Sequence, residues 1–132
     1  MSVDGAGTGP LRVLIVEDEF LIADYLALLL EDAGHEVAGM AATAAEALGI
    51  LDGGTPVDVA SLDVKLPGGM DGVELAAVLR ARAGPPFLFV TGSGDPAFRA
   101  RCEAERPLAI LQKPVDPKAL LVALSRVASR PG

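Results

Sequence analysis

Residues 57–71 read VDVASLDVKLPGGMD. The run Val57–Val64 is apolar at most positions and rich in β-branched side chains, and its length suits a buried strand better than a helix. A carboxylate, Asp63, stands at its end. The next stretch, Leu66–Asp71 (LPGGMD), holds a proline and paired glycines, which break both helix and strand. Gly72 to Ala83 then reads as a helix, stopped by Gly84-Pro85-Pro86. Strand, acidic end, loop, helix is the repeating unit, and it recurs on both sides.

Upstream, Leu11–Val16 (LRVLIV) is a short apolar strand closed by Glu17 and Asp18. Glu19 to Ala33 is helical, with Phe20, Leu21, Tyr25, Leu28 and Leu29 near the 3.6-residue spacing, and this leucine-rich helix is expected to be mostly core. Gly34 ends it. His35–Met40 reads as a second strand, and Thr43 with Glu46 has the spacing of a capping box opening a helix to about Leu51. Downstream, Phe87–Val90 (FLFV) is a strand closed by Thr91-Gly92. Asp95-Pro96 and Asp116-Pro117 are cap-then-proline helix starts, and Leu108–Gln112 is the strand between them. Five strands thus alternate with five helices, (βα)₅. Strand runs that are continuously apolar suit a parallel sheet buried on both faces, hence a three-layer α/β fold.

Composition narrows the function. The 132 residues include 18 acidic and 11 basic side chains, for a net charge of −7. That is a poor balance for nucleic acid, whose phosphates need clustered Lys and Arg. Aromatics at 4% give few stacking platforms. One cysteine, Cys102, excludes an internal disulfide and is expected to pack, while one histidine, His35, argues against the usual zinc enzymes and is expected in a surface loop. The start, MSVDGAGTGP, has no targeting pattern and reads as a flexible arm over residues 1–10. Phe20–Leu30 is too short to span a bilayer, so a cytoplasmic protein without membrane contact is expected. Charge is uneven: residues 1–79 hold 14 acids and 2 bases, and residues 80–132 hold 4 acids and 9 bases.

An open parallel sheet gathers its functional groups beyond the carboxyl ends of its strands. Those positions hold Glu17 and Asp18 (strand 1), Asp63 (strand 3), Thr91 (strand 4) and Lys113 (strand 5). Each alone has a mundane reading as a solvated loop, cap or turn residue. Together they form three carboxylates, a hydroxyl and an ammonium on one rim, which chance explains poorly. Oxygen ligands without thiol or imidazole suit Mg²⁺. Beside the ion, one carboxylate could act as a nucleophile toward a phosphoryl group.

The segments VLIVEDE, SLDVKLPGGMDGVEL, FLFVTGSG and LQKPVD resemble the receiver domain of bacterial two-component response regulators over about residues 11–130. The resemblance implies a flavodoxin-like sheet of order 2-1-3-4-5. It implies that Asp63 is the phosphoacceptor, with Thr91 and Lys113 completing the site. For Mg²⁺, it implies Asp18 and Asp63 as ligands, Glu17 through water, and the backbone carbonyl of Lys65. Lys113–Pro114 is then expected to be cis. Partners implied are a sensor histidine kinase or histidine phosphotransfer protein, docking on the first helix, and a downstream protein target. The arginines Arg99, Arg101, Arg106, Arg126 and Arg130, assigned to helices 4 and 5, fall on the helix 4–strand 5–helix 5 surface that receivers use for targets or homodimers. PFLFVTGSG further resembles the PFxFATGY stretch of a single-domain alphaproteobacterial subgroup. With no output segment after it, the chain is expected to be a stand-alone phosphoacceptor rather than an enzyme.

Three departures stand out. Ile110 occupies the position where receivers often carry Tyr or Phe, Gly92 follows Thr91, and Gly68-Gly69 lengthens the loop after Asp63. Lys65 and Ser93 occupy positions that tune phosphoryl lifetime in related receivers. Two other readings stay open: a receiver-like binding module that works without phosphorylation, and a Mg²⁺-dependent phosphatase with an aspartyl intermediate. The phosphatase wants Asp-x-Asp after strand 1, where this chain has Glu17-Asp18-Glu19.

Overall fold

The structure, a computed structural model, describes residues 9–128. Ten elements alternate along it: β1 (Arg12–Val16), α1 (Phe20–Asp32), β2 (Glu36–Ala41), α2 (Ala44–Asp52), β3 (Val59–Asp63), α3 (Gly72–Ala81), β4 (Phe87–Thr91), α4 (Pro96–Ala104), β5 (Ile110–Gln112) and α5 (Pro117–Ala128). All strand pairs are parallel and the order is β2-β1-β3-β4-β5. This is the three-layer sheet expected. Of the N-terminal arm only Gly9 and Pro10 fall within the described residues, and Arg130 lies outside them.

Every residue of β3 and β4 is buried, and β1 is exposed only at Arg12. Alternate strand residues feed two cores. On one face Leu14, Val16, Ala60, Leu62, Phe87 and Phe89 pack under α2, α3 and α4. On the other, Val13, Ile15, Val59, Leu88, Val90 and Leu111 pack under α1 and α5. Cys102 is 1% exposed and packs in the first of these, as expected. Among the described residues no helix is long and apolar enough to cross a membrane.

The helix starts follow the chemistry of their caps. Thr43 Oγ1 accepts the Glu46 N–H at 3.1 Å, and Glu46 reaches back to the Ala42 N–H at 2.8 Å, one residue before the cap itself. Asp71 and Glu74 form a full reciprocal box at α3, with bonds of 2.8 and 2.9 Å. Such caps contribute about 1 kcal/mol each.

Three expectations need correction. The apolar stripe of α1 points mostly outward: Phe20, Leu21 and Leu28 are exposed at 72, 80 and 60%, and Tyr25 at 40%. The buried face is Ala23, Leu26, Ala27 and Leu30. Leu26 and Leu30 fill that face beside the two alanines, and Phe20, Leu21 and Leu28 fall outside it. His35 is half-buried rather than a free surface residue, because its Nδ1 accepts the Leu11 N–H at 3.0 Å. Arg106 is not on α4. It stands just past the Glu105 cap with φ of 56°, in the left-handed turn that ends the helix.

Candidate functional site

Each site residue is carried to the rim by the end of a strand. Glu17 follows β1, and its N–H bonds Ala41 O at the end of β2 at 2.9 Å. Asp63 and Thr91 are the last residues of β3 and β4. Lys113 follows β5, held by its N–H to Thr91 O at 2.9 Å, and the Lys113–Pro114 bond is cis as expected.

The sheet brings the expected residues together. Oxygen atoms of Glu17, Asp18 and Asp63 all lie within 4.8 Å of one another. Glu17 and Asp63 are buried, each 5% exposed, while Asp18 faces solvent. Lys113 Nζ stands 3.1 Å from Glu17 Oε1 and 3.3 Å from Asp63 Oδ1. Asp18, Asp63, Lys65, Thr91, Ser93 and Lys113 line an open cleft of about 570 Å³. Thr91 is buried, and its Oγ1 accepts the Ser93 N–H at 3.0 Å.

The electrostatics are those of two buried carboxylates sharing one ammonium. Burial first, and then the charge of Glu17, push the Asp63 carboxyl up to about 7, against the pull of Lys113. For Lys113, burial pulls the ammonium down, but Glu17 and Asp63 outweigh it and hold the group above its ordinary value.

The residues fit a hard divalent cation. Glu17 Oε1 is buried, and the Lys113 ammonium, 3.1 Å away, is shared with Asp63. One ammonium faces three gathered carboxylates, an excess of negative charge that a divalent cation would neutralise. The donor set is all oxygen, which suits Mg²⁺.

Two features of the site were not singled out from sequence. Gly72, at the start of α3, packs directly on the backbone of Asp63. A Cβ there would lie 1.9 Å from Asp63 O, and the Gly72 N–H bonds Val64 O at 2.8 Å. Glycine is the residue that lets α3 approach this closely. The preceding loop turns on Gly68 and Gly69, with φ of 92 and 96°. The second feature is Phe98 of α4, whose ring centroid lies 5.4 Å from Lys65 Nζ and 5.9 Å from Arg101 Cζ. The Asp-x-x-Glu spacing at Asp71 was the available signal for the tight α3 start, whereas Phe98 gave none, because its partners are set by tertiary packing.

The chain is similar to known proteins in sequence and in fold. The family model described as response regulator receiver domain matches residues 13–125. The transcriptional regulatory protein PdtaR of Mycobacterium tuberculosis is 31% identical over 98% of this chain and 62% of its own length. The phyllosphere-induced regulator PhyR of Methylorubrum extorquens is 30% identical over 87% of this chain and 42% of its own length. The chain therefore spans about half the length of such curated relatives. Among solved structures, the signal receiver domain of a modulated diguanylate cyclase from Desulfovibrio desulfuricans is 34% identical, with a TM-score of 0.83 over 90% of this chain and 94% of that one. A CheY-like receiver domain protein from Methanospirillum hungatei is 32% identical, with a TM-score of 0.78 over 91 and 94% of the two chains.

Proposed function

The chain belongs to the family of response regulator receiver domains, and on that premise we propose that Asp63 accepts a phosphoryl group from a phosphohistidine of a sensor kinase or phosphotransfer protein. The observation that carries the reading is the buried Asp63 carboxylate, 3.3 Å from Lys113 Nζ and clustered with Glu17 and Asp18 at the floor of an open cleft.

An Asp63 oxygen attacks phosphorus, a P–O bond forms, and the P–N bond to the donor imidazole breaks. The imidazole leaves with the electron pair and takes a proton. Lys113 holds the Asp63 carboxylate in place and offers its charge to the incoming phosphoryl oxygens. Thr91, which lines the same cleft, carries a hydroxyl that can turn from the Ser93 N–H to a phosphoryl oxygen. Mg²⁺, held by Asp18, Asp63 and the Lys65 carbonyl and by Glu17 through water, would supply further positive charge against the phosphoryl oxygens.

The exposed Phe20, Leu21 and Leu28 lie on α1, whose start adjoins the cleft, and this apolar face suits a donor protein. The output surface is assigned to α4, β5 and α5, where Arg99 and Arg126 flank Ile110 and Val122 and where a protein target or a second copy would bind. The Pro86–Gly94 stretch and Ile110 support a place in the single-domain PFxFATGY subgroup and hence action without an attached output domain. The chain is read as a phosphoacceptor with self-catalysed transfer, not as a turnover enzyme.

Intact mass after incubation with Mg²⁺ and acetyl phosphate tests the reading. Wild type is expected to gain one phosphoryl group and Asp63→Asn none. Equal gain by both proteins would overturn it.

A further inference from the structure

We infer that Phe98 is a positioning residue for the Asp63 site: it holds the Lys65 ammonium at the rim of the cleft and thereby links the charge on Asp63 to α4. The inference rests on the reading of Asp63 as phosphoacceptor and adds to it the element that senses the product.

Lys65 lies two residues beyond Asp63 and lines the same cleft, yet its ammonium sits over the Phe98 ring, 5.4 Å from the centroid. Arg101 lies over that ring at 5.9 Å, and its Nη2 bonds Asp71 Oδ2 at 2.9 Å. Asp71 also caps α3, which packs on the Asp63 backbone through Gly72. One ring thus joins a cation from the cleft to a tethered cation of α4.

A phosphoryl group on Asp63 would bring about −1.5 to −2 charges and three acceptor oxygens into the cleft. An exposed cation–π contact is weaker than a charge-assisted hydrogen bond to such an oxygen. Lys65 therefore leaves Phe98, while Arg101 is kept by Asp71. The ring loses one of its two cations and has room to move, since a cavity of about 70 Å³ lies beside it, lined by Thr91, Ser93, Cys102 and Ile110. Ile110 supplies no aromatic ring to this space. The helix that carries Phe98 is lightly anchored, with Cys102 its one buried residue among those described. A change at Phe98 is thus free to pass into α4.

The test is the backbone amide spectrum of α4 before and after labelling with acetyl phosphate and Mg²⁺, scaled to the phosphorylated fraction measured by mass. In wild type the amides of residues 97–104 are expected to shift. In Phe98→Leu and in Lys65→Met that shift per labelled molecule is expected to fall about threefold or more, and Phe98→Tyr is expected to restore it. Wild-type-sized shifts in labelled Phe98→Leu or labelled Lys65→Met would overturn the coupling alone. Absence of labelling on wild type would overturn the phosphoacceptor reading and the coupling with it.

Discussion

Asp63 and Glu17 are two carboxylates in one buried place with a single ammonium between them. Such a pair is held by the sheet rather than by its own energetics, because burying the second charge costs more than one lysine returns. The residue types at the rim were readable in the sequence, since each stands at or just past the end of an apolar run whose length suits a strand. His35 was not, because its role depends on a partner 24 residues away. Its Nδ1 accepts the Leu11 N–H, so the neutral ring is the one that fits, and burial lowers its pKa below 6.5. As pH falls, the unfolded chain takes up the proton first. The contribution of His35 to stability is therefore full above pH 6.5 and is lost as pH falls through the lower folded value. Urea unfolding on either side of this window should show wild type losing up to about 1 kcal/mol more than His35→Gln, the worth of one hydrogen bond. Equal losses in the two proteins would contradict the assignment.

At the scale of elements, the helix starts and strand ends were legible because caps, prolines and glycines act locally. The orientation of α1 was not, since the helix is apolar on more than one side and hydrophobic spacing alone cannot choose a face. The face turned to the sheet is Ala23, Leu26, Ala27 and Leu30. The contact of α3 with β3 also escaped, although Gly72 was in view, because a close approach is visible only when both backbones are placed. Gly72→Ala would put its Cβ 1.9 Å from Asp63 O. We expect it to destabilise the fold by about 1–3 kcal/mol, the usual cost of overpacking, despite the better helix propensity of alanine. It should also slow Asp63 labelling, because relief of the clash displaces the Asp63 backbone. Urea unfolding with a labelling time course checks both effects, and an unchanged variant would show that the approach is relaxed at no cost.

For the whole molecule, the uneven charge written into the sequence becomes a division of labour. The acidic first part supplies Glu17, Asp18 and Asp63 to the rim, and the second part brings Lys113 and the arginines of α4 and α5. A folded chain that gathers three carboxylates should be stabilised by the cation that relieves their repulsion, as any ligand of the native state stabilises it. Millimolar Mg²⁺ is expected to raise the Tm of wild type by several degrees and that of Asp18→Asn by much less. A rise of the same size in both would place the ion elsewhere. The central claim is narrower: one carboxylate, Asp63, takes the phosphoryl group. Its most direct test is borohydride reduction of acetyl-phosphate-labelled protein followed by peptide mass mapping, since an aspartyl phosphate is reduced to homoserine at the residue that carried it. The account predicts homoserine at position 63 and at no other aspartate. Homoserine at Asp18, or labelled protein with no reduced residue at 63, would contradict it.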